Sequence, residues 1–550
     1  MSRRPDEARR VQDSSLPHAW KLQSEESRRY IHHAVRESAD LVRSSYGPTG
    51  LSRLIDTQDK QNRERLVITE DGAEVLNAID QGNGFGHPVT ALLVDGLEGL
   101  RKGLHDGTTR GLLLTEALVT AGVRLLDDGM SEASIVVGFG IAQSLTGHVL
   151  DELALPVDIS EKRKLVAMSN TIMTSLEPTE RIELAPLVVD AVEKIKGESD
   201  GWIDTDDIHV IAAPNAPAGV YDGMILTQPE VGDHSGSGVR VPIRDASIAI
   251  IDRPVKLEET ASVVDEIRYV DPEARLRYLD ERDTMVTNIV DNLVDMGIDL
   301  LVSTESLNQD IVHAIERRGI CIRDKAKYPK EGIPRLAKAT GATVVSDIRE
   351  LHEGHLGRAK NIEQEIWGDE IWTYITGTPG AVVTVVIGGG TSRGAERQET
   401  AVANAIETLS VGIMDGQALP GAGAAAMAVA TDLRTNAPQI PGREQVAVNA
   451  FADAMEVLPT TLAINAGYDP IDTVTALRRR HSADTPQPIG FDPTDGEVQD
   501  TITNGIIEPR RTLSRAIDAA STMALRLLMV DEIIHPGVDI NKFQPVLERS

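Results

Sequence analysis

The sequence predicts a multidomain α+β protein in which two helical chain ends flank an α/β middle. Three observations lead there. At 550 residues the chain exceeds what a single hydrophobic core ordinarily serves, so two to four domains are expected. Helical periodicity dominates from about residue 20 to 150 and again beyond about 400. Between them, short apolar runs alternate with helix-prone segments, the pattern of an α/β unit.

Taken in chain order, Ile31 to Val42 has helical spacing and stops before Gly47-Pro48, a strong terminator. Val89–Leu100 and Leu112–Leu126 are further amphipathic or buried helices. Past about 225, Val239-Arg240-Val241-Pro242 and Ala246–Ile251 read as strands. Asp299–Val302 and Ala342–Val345 are short buried strands set between helices. The stretch from Glu258 to about Asn292 is polar, charged and helix-prone, with a break at Asp271-Pro272. Gln398–Met414, Gly423–Leu433 and Glu444–Leu458 then carry alanine-rich helical periodicity. This order suggests that both chain ends close into one domain and the middle is inserted.

Composition narrows the classes. Hydrophobic residues make up 41%, with mean hydropathy −0.16, and no uninterrupted apolar run approaches the roughly 20 residues that cross a bilayer. The first residues, Met1-Ser2-Arg3-Arg4-Pro5-Asp6, lack the apolar core of a secretory signal. One cysteine, Cys321, excludes internal disulfides and gives no zinc cluster. A cytoplasmic location without membrane partners is the expectation. The net charge is −30, from 85 acidic and 55 basic residues. Such an acidic surface argues against nucleic acid, which needs a basic stripe. Its acids are spread through every segment and not gathered in a tail, which favours adaptation to molar salt over an acidic docking surface. At about 1 M salt the Debye length is only about 3 Å, so self-repulsion is screened.

Several motifs carry chemistry. Gly47-Pro48-Thr49-Gly50 lies between two helical segments, and bare backbone N–H groups of glycine turns suit phosphate oxygens. Taken alone it reads first as a plain helix-ending turn. His105-Asp106-Gly107-Thr108-Thr109 is sharper: the Asp106 carboxylate suits Mg²⁺, and Gly107, Thr108 and Thr109 offer N–H and hydroxyl donors at a helix start. As an isolated string it is also a good N-cap. Further segments are Thr69-Glu70-Asp71-Gly72, Pro420-Gly421-Ala422-Gly423 and Gly442-Arg443-Glu444-Gln445.

The order and spacing of these segments resemble the group II chaperonins, the archaeal thermosome and its eukaryotic cytosolic relatives. The resemblance runs from about Ile31 to Val538 and includes Arg335–Ala342, Ala450–Glu456, Asn465–Pro470 and Asn504–Pro509. It implies a chaperonin fold. The helical equatorial domain is formed by both chain ends, residues 1–150 and 404–550. A small intermediate hinge domain comprises 151–220 and 366–403. The α/β apical domain, 221–365, carries a helical lid protrusion near 258–292. It also implies ATP and Mg²⁺ as cofactors, non-native proteins as clients and a double ring of like or mixed subunits as the assembly.

Residue by residue, the resemblance assigns nucleotide binding to Gly47, Pro48, Gly50, Asp106, Gly107, Thr108, Thr109, Gly421, Ala422 and Gly423, with Asp106 on the metal. Asp71 matches an aspartate that orients the attacking water. Asn404, counted back without gaps from Gly421-Ala422-Gly423, stands where the family has its principal hydrolytic aspartate. An amide can hold a water but cannot accept its proton, and loss of a positioned base costs about 10²–10⁴-fold in rate. Thr49 stands where lysine or arginine is usual, and His105 where glycine is. No lysine occupies Thr174-Ser175, where a phosphate-sensing one belongs, and the acidic ribose contact falls near Thr503. The expectation is an ATP-binding chaperonin subunit that folds non-native proteins with weak or absent hydrolysis of its own. The alternative is a non-hydrolysing structural or binding subunit of a mixed ring. A metabolic enzyme has little support, because the middle segment shows no Ser/His/Asp or Cys/His arrangement. Ile267, Leu276, Leu279 and Met285 are candidates for client capture or for ordinary helix packing.

Overall fold

The computed structural model describes residues 19–23, 25–58, 64–69, 75, 88–104, 106–196, 202–213, 216–229, 242–253, 272–305, 307–323, 332–367, 370–388, 391–482 and 486–536. They form two compact units: Met1–Ala185 together with Glu407–Ser550, and Pro186–Ile406. The first unit therefore draws on both chain ends.

Its first half runs β1 (Ala19–Gln23), α1 (Glu25–Arg43), the hairpin β2 (Arg53–Gln58) and β3 (Glu64–Thr69), α2 (Pro88–Leu104), α3 (Thr108–Asp127), α4 (Glu132–Leu153), β4 (Leu155–Pro156) and α5 (Lys162–Ile172). Helix α6 (Pro178–Lys196) crosses the division. The second unit contains β5 (Ile208–Ala212), β6 (Gly219–Asp222), β7 (Met224–Pro229), β8 (Ile243–Ile251), α7 (Pro272–Asp295), β9 (Leu300–Ser303), α8 (Gln309–Arg317), β10 (Cys321–Arg323) and α9 (Gly332–Thr340). It continues with β11 (Val344–Val345), β12 (Gly357–Trp367), β13 (Glu370–Thr376) and β14 (Val383–Ile387), and α10 (Ser392–Asp415) leads back. The first unit is completed by β15 (Gln417–Pro420), α11 (Ala424–Asn436), α12 (Glu444–Met455), α13 (Val457–Asn465), α14 (Pro470–Arg480), β16 (Ile489–Asp492), β17 (Glu497–Asp500), β18 (Ile507–Pro509), α15 (Arg510–Leu528) and β19 (Glu532–Pro536).

In the first unit α3 is the central helix. Leu112, Leu113, Leu114, Leu118 and Val119 are all fully buried; a helix apolar around most of its circumference must be enclosed by others. Helices α1, α12 and α15 pack on it. Helix α4 packs on α12 through an edge-to-face contact of Phe139 and Phe451, with ring centroids 5.6 Å apart. Among the described residues α4 is also the one helix whose length and mean hydropathy of 1.4 would suffice to span a membrane. Its Ile135, Phe139, Ala142 and Val149 instead lie in the core of this unit. Antiparallel β1 and β19 pair the two ends of the described chain, and α11 fills the space beside α12 with an alanine run, Ala424–Ala426, that allows close approach.

In the second unit a 7-stranded sheet has the order β10-β9-β8-β12-β13-β7, with β11 beside β8. Alternation assigns its faces. Ala249, Ile251 and Leu301 pack against Val290 and Leu293 of α7 and Ile311 and Ile315 of α8. Ile248, Ile250, Leu300 and Val302 pack against Ile333 and Leu336 of α9. The strands β8 and β9 are thus buried on both faces, which explains their unbroken apolar runs. A smaller sheet has the order β5-β14-β6.

The multidomain α+β class expected from the sequence holds. Two local expectations change. The stretch read as mostly helical contains β1, β2 and β3, because strand pairing satisfies backbone groups that periodicity alone assigns to a helix. The single helix expected over 444–458 is split at Glu456 into α12 and α13. Val239–Val241, Asp271 and Ile267 lie outside the described residues; α7 begins at Pro272, directly after the expected break.

Candidate functional site

Three turns of the first unit converge. In the first, α1 ends at Arg43 and the chain reverses through Gly47 (φ +89°). Gly47 has no room for a side chain: a Cβ would lie 2.3 Å from Leu462 Cδ2. At Gly50 a Cβ would meet the Ser45 carbonyl at 2.3 Å. The Asn465 amide donates to the carbonyls of Arg43 (2.9 Å) and Tyr46 (2.8 Å), fixing the turn from α13.

The second turn joins α2 to α3. Asp106 accepts from the Gly107 N–H (2.5 Å), and Gly107 adopts φ +88° as the N-cap of α3, with no side-chain cap. Thr108 and Thr109 open the helix, and Arg110 follows in its first turn. The third turn, Gly421-Ala422-Gly423, joins β15 to α11. Gly421 N–H donates to Ile506 O (2.8 Å), and Phe491 N–H to Ala422 O (3.0 Å). Gly423 is the N-cap of α11 at φ +76°, again without a side-chain cap. Ala422 has φ +52°, a left-handed conformation that disfavours any residue with a Cβ.

A small cleft of about 20 Å³ is lined by Tyr46 at the start of the first turn, Arg110 of α3, Ala422 and Gly423 of the third turn, and Leu458 and Glu508. Arg110 Nη2 pairs with Glu508 Oε2 at 2.7 Å, their side chains 15% and 11% exposed. Burial opposes the guanidinium's charge, but Glu508, Tyr46 and Asp106 outweigh it and raise its affinity for the proton above the ordinary arginine value. Burial pushes the Glu508 carboxyl above the ordinary carboxylate range and Asp106 adds to the rise, while the Arg110 charge and hydrogen bond offset part of it. Burial also pushes the Tyr46 phenol up.

The structure therefore gathers Ala422 and Gly423 on one cleft with Tyr46, which precedes Gly47, and with Arg110, two positions past Thr108; Asp106 acts electrostatically on Arg110, Tyr46 and Glu508. The lone Asp106 carboxylate suits Mg²⁺, which is commonly held by one or two carboxylates plus phosphate oxygens and water; among the described residues no cluster of three or more potential metal ligands exists. Pro48 and Gly50 belong to the first turn. Thr503 lies apart from the cleft lining: it is exposed, and its hydroxyl donates to Asp500 at 3.0 Å. Thr174 and Ser175 are half-buried between α5 and α6. Asn404 is half-buried on α10, in the part of that helix belonging to the second unit. Asp71 and His105 lie outside the described residues. Sequence reading passed over Arg110 and Glu508; the signal available was a cation placed directly after Asp106–Thr109 and a carboxylate within the quoted Asn504–Pro509 segment.

Comparison with known proteins agrees with this architecture. The TCP-1/cpn60 chaperonin family profile matches residues 39–537. The chain is 31% identical over 508 residues to a thermosome subunit of Methanopyrus kandleri, covering 91% of this chain and 90% of that protein. It is 31% identical to thermosome subunit beta of Archaeoglobus fulgidus (91% and 90% covered) and 30% identical to thermosome subunit alpha of Halobacterium salinarum (92% and 87% covered). With a family match that spans most of its length, the chain belongs to the TCP-1/cpn60 chaperonin family.

Proposed function

We propose that this chain is an ATP-binding subunit of a double-ring group II chaperonin that assists the folding of non-native proteins. The observation that carries the reading is a cleft on which the Ala422-Gly423 turn meets Arg110, a cation in the first turn of the helix that Gly107 opens. Backbone donors and fixed positive charge are what a polyphosphate needs, and Asp106 supplies an oxygen for its Mg²⁺. Gly47, Pro48, Gly50, Thr108 and Thr109 belong to the same nucleotide site. The three-domain division, the lid near 258–292, the ring assembly, a cytoplasmic location and adaptation to high salt are parts of the same proposal. Similarity to thermosome subunits over nearly their whole length supports it.

Hydrolysis is the point at which this subunit departs. With Asn404 in place of a carboxylate and Asp71 as the remaining water-orienting acid, turnover is slow or left to partner subunits. The test is steady-state ATP hydrolysis by the assembled protein in molar KCl with Mg²⁺, beside Asn404→Asp, with ATP retention on filters measured in parallel. The expected result is ATP binding by both forms and a rate about 10²-fold or more higher in the variant. A wild type that hydrolyses ATP at a rate the variant does not improve refutes the role given to Asn404. The second reading, a non-hydrolysing scaffold subunit of a mixed ring, is favoured by the same asparagine and predicts that even Asn404→Asp stays inactive without partner subunits.

A further inference from the structure

The Arg110–Glu508 pair has a task that the nucleotide reading leaves unassigned. Arg110 stands in the first turn of α3, directly after the residues assigned to phosphate and metal. Glu508 stands on β18, opposite Leu419 of β15, the strand that runs into the Gly421–Gly423 turn. Their contact is a single 2.7 Å pairing through Nη2, although a guanidinium can grip a carboxylate with two parallel donors. Arg110 Nε and Nη1 are buried and make no hydrogen bond among the described residues. Tyr46 lies beside the guanidinium and is hydrogen-bonded to it, yet Nε and Nη1 stay without a partner. Buried donors are normally paired, so two open ones on the wall of a cleft point to an acceptor from outside the chain. The cleft itself is too narrow as it stands. Its interior space of about 20 Å³ admits little more than a water molecule, and both members of the pair line it.

We propose that Arg110 is a phosphate-binding residue held in reserve by Glu508, and that an arriving nucleotide exchanges its phosphate oxygens for the Glu508 carboxylate and thereby opens the cleft. The inference rests on the reading of this cleft as a nucleotide site. Charge is conserved in the exchange: one anion replaces another on the same cation, and the planar donors of arginine match phosphate in pairs. Because β18 is paired with β15, release of Glu508 acts next to the glycine turn that receives the ligand.

The test is equilibrium binding of Mg·ATP, inorganic pyrophosphate and adenosine to the full-length protein, for wild type, Arg110→Gln, Glu508→Gln and the double variant. Arg110→Gln is expected to weaken ATP and pyrophosphate by about 10-fold or more and to leave adenosine unchanged. Glu508→Gln removes the competing carboxylate and is expected to tighten both phosphate ligands by a comparable factor. The double variant, whose two neutral amides avoid an uncompensated buried charge, is expected to bind as weakly as Arg110→Gln. Phosphate ligands bound by Arg110→Gln as tightly as by wild type, or more tightly, would overturn the proposal and leave the pair as a structural tie or a plug. If wild type binds ATP and pyrophosphate but Glu508→Gln binds them more weakly, the reserve mechanism fails while the nucleotide reading stands. If no form binds either phosphate ligand, both fall.

Discussion

One amide, that of Asn465, holds two backbone carbonyls, those of Arg43 and Tyr46, where α1 gives way to the first glycine turn. The last carbonyls of a helix have no partner within it, so an outside donor is required. Replacing Asn465 by alanine removes both donors and leaves the carbonyls dependent on water that has limited access. The expected cost is about 1–2 kcal/mol, visible as a lowered midpoint in thermal unfolding. Asn465→Asp is the sharper comparison: it puts acceptor oxygens against acceptors and should be the more destabilising of the two. An aspartate variant that melts like wild type would show that the contact does not hold the turn. Tyr46, next in the chain to Gly47, lines the cleft, so the same substitutions should loosen the cleft wall.

Helix α9 shows how one element ties two sheets of the second unit together. Its apolar residues Ile333, Leu336 and Ala339 are buried, the first two against the 7-stranded sheet. Its polar face reaches the start of β5, in the smaller sheet. Lys338 bonds Asp204 (3.0 Å) and Asp207 (2.7 Å), while Arg335 donates to the Asp206 carbonyl and contacts His209 Nδ1 at 2.9 Å. Burial, and then the Arg335 charge, push His209 down to about 4. Between about 6.5 and 4 the unfolded chain binds a proton that the folded chain refuses, so this histidine's contribution to stability is lost as pH falls through that window. The amount is on the order of 3 kcal/mol. His209→Gln should flatten the pH dependence of chemical unfolding between pH 4 and 6.5; an unchanged slope would remove His209 as its cause. This tie also marks what a sequence can disclose. The residues Arg335–Ala342 are visible as a family segment, and the 3.6-residue period reveals α1 to α3, α10 and α11, because burial of one face is written locally. The strand β1 escapes because its partner β19 lies at the other end of the chain. The split at Glu456 has its signal just past the predicted helix: Pro459 cannot donate to the Met455 carbonyl, and Arg434 and Arg478 both grip the Glu456 carboxylate at the break. The three glycine turns of the site are legible from composition. Arg110 and Glu508 are not, since only folding makes them neighbours.

At the scale of the whole molecule the charge balance decides under which conditions these local devices operate. Even if each of the 55 basic residues were matched to a carboxylate, the 85 acids would leave a net charge of −30. Many of the ion pairs present are short-range and exposed, such as Arg29–Glu25 and Lys102–Glu98, and each contributes little. Salt acts on this surface in opposite directions. It weakens exposed pairs by a few tenths of a kcal/mol each, and it screens the repulsion among the excess carboxylates, a sum over many more distances. With so lopsided a balance the second effect is the larger. Buried pairs such as Arg110–Glu508 are shielded from the solvent and change little. The thermal midpoint of the protein should therefore rise between about 0.1 M and 2 M KCl, the range over which the Debye length contracts from about 10 Å to below 3 Å. Sucrose, which favours compact states without screening, supplies the control. A rise in KCl well beyond that in sucrose identifies charge repulsion as the stress relieved. A midpoint flat or falling with KCl would mean that the exposed ion pairs outweigh the excess charge, and the high-salt adaptation proposed for this chain would have to be abandoned.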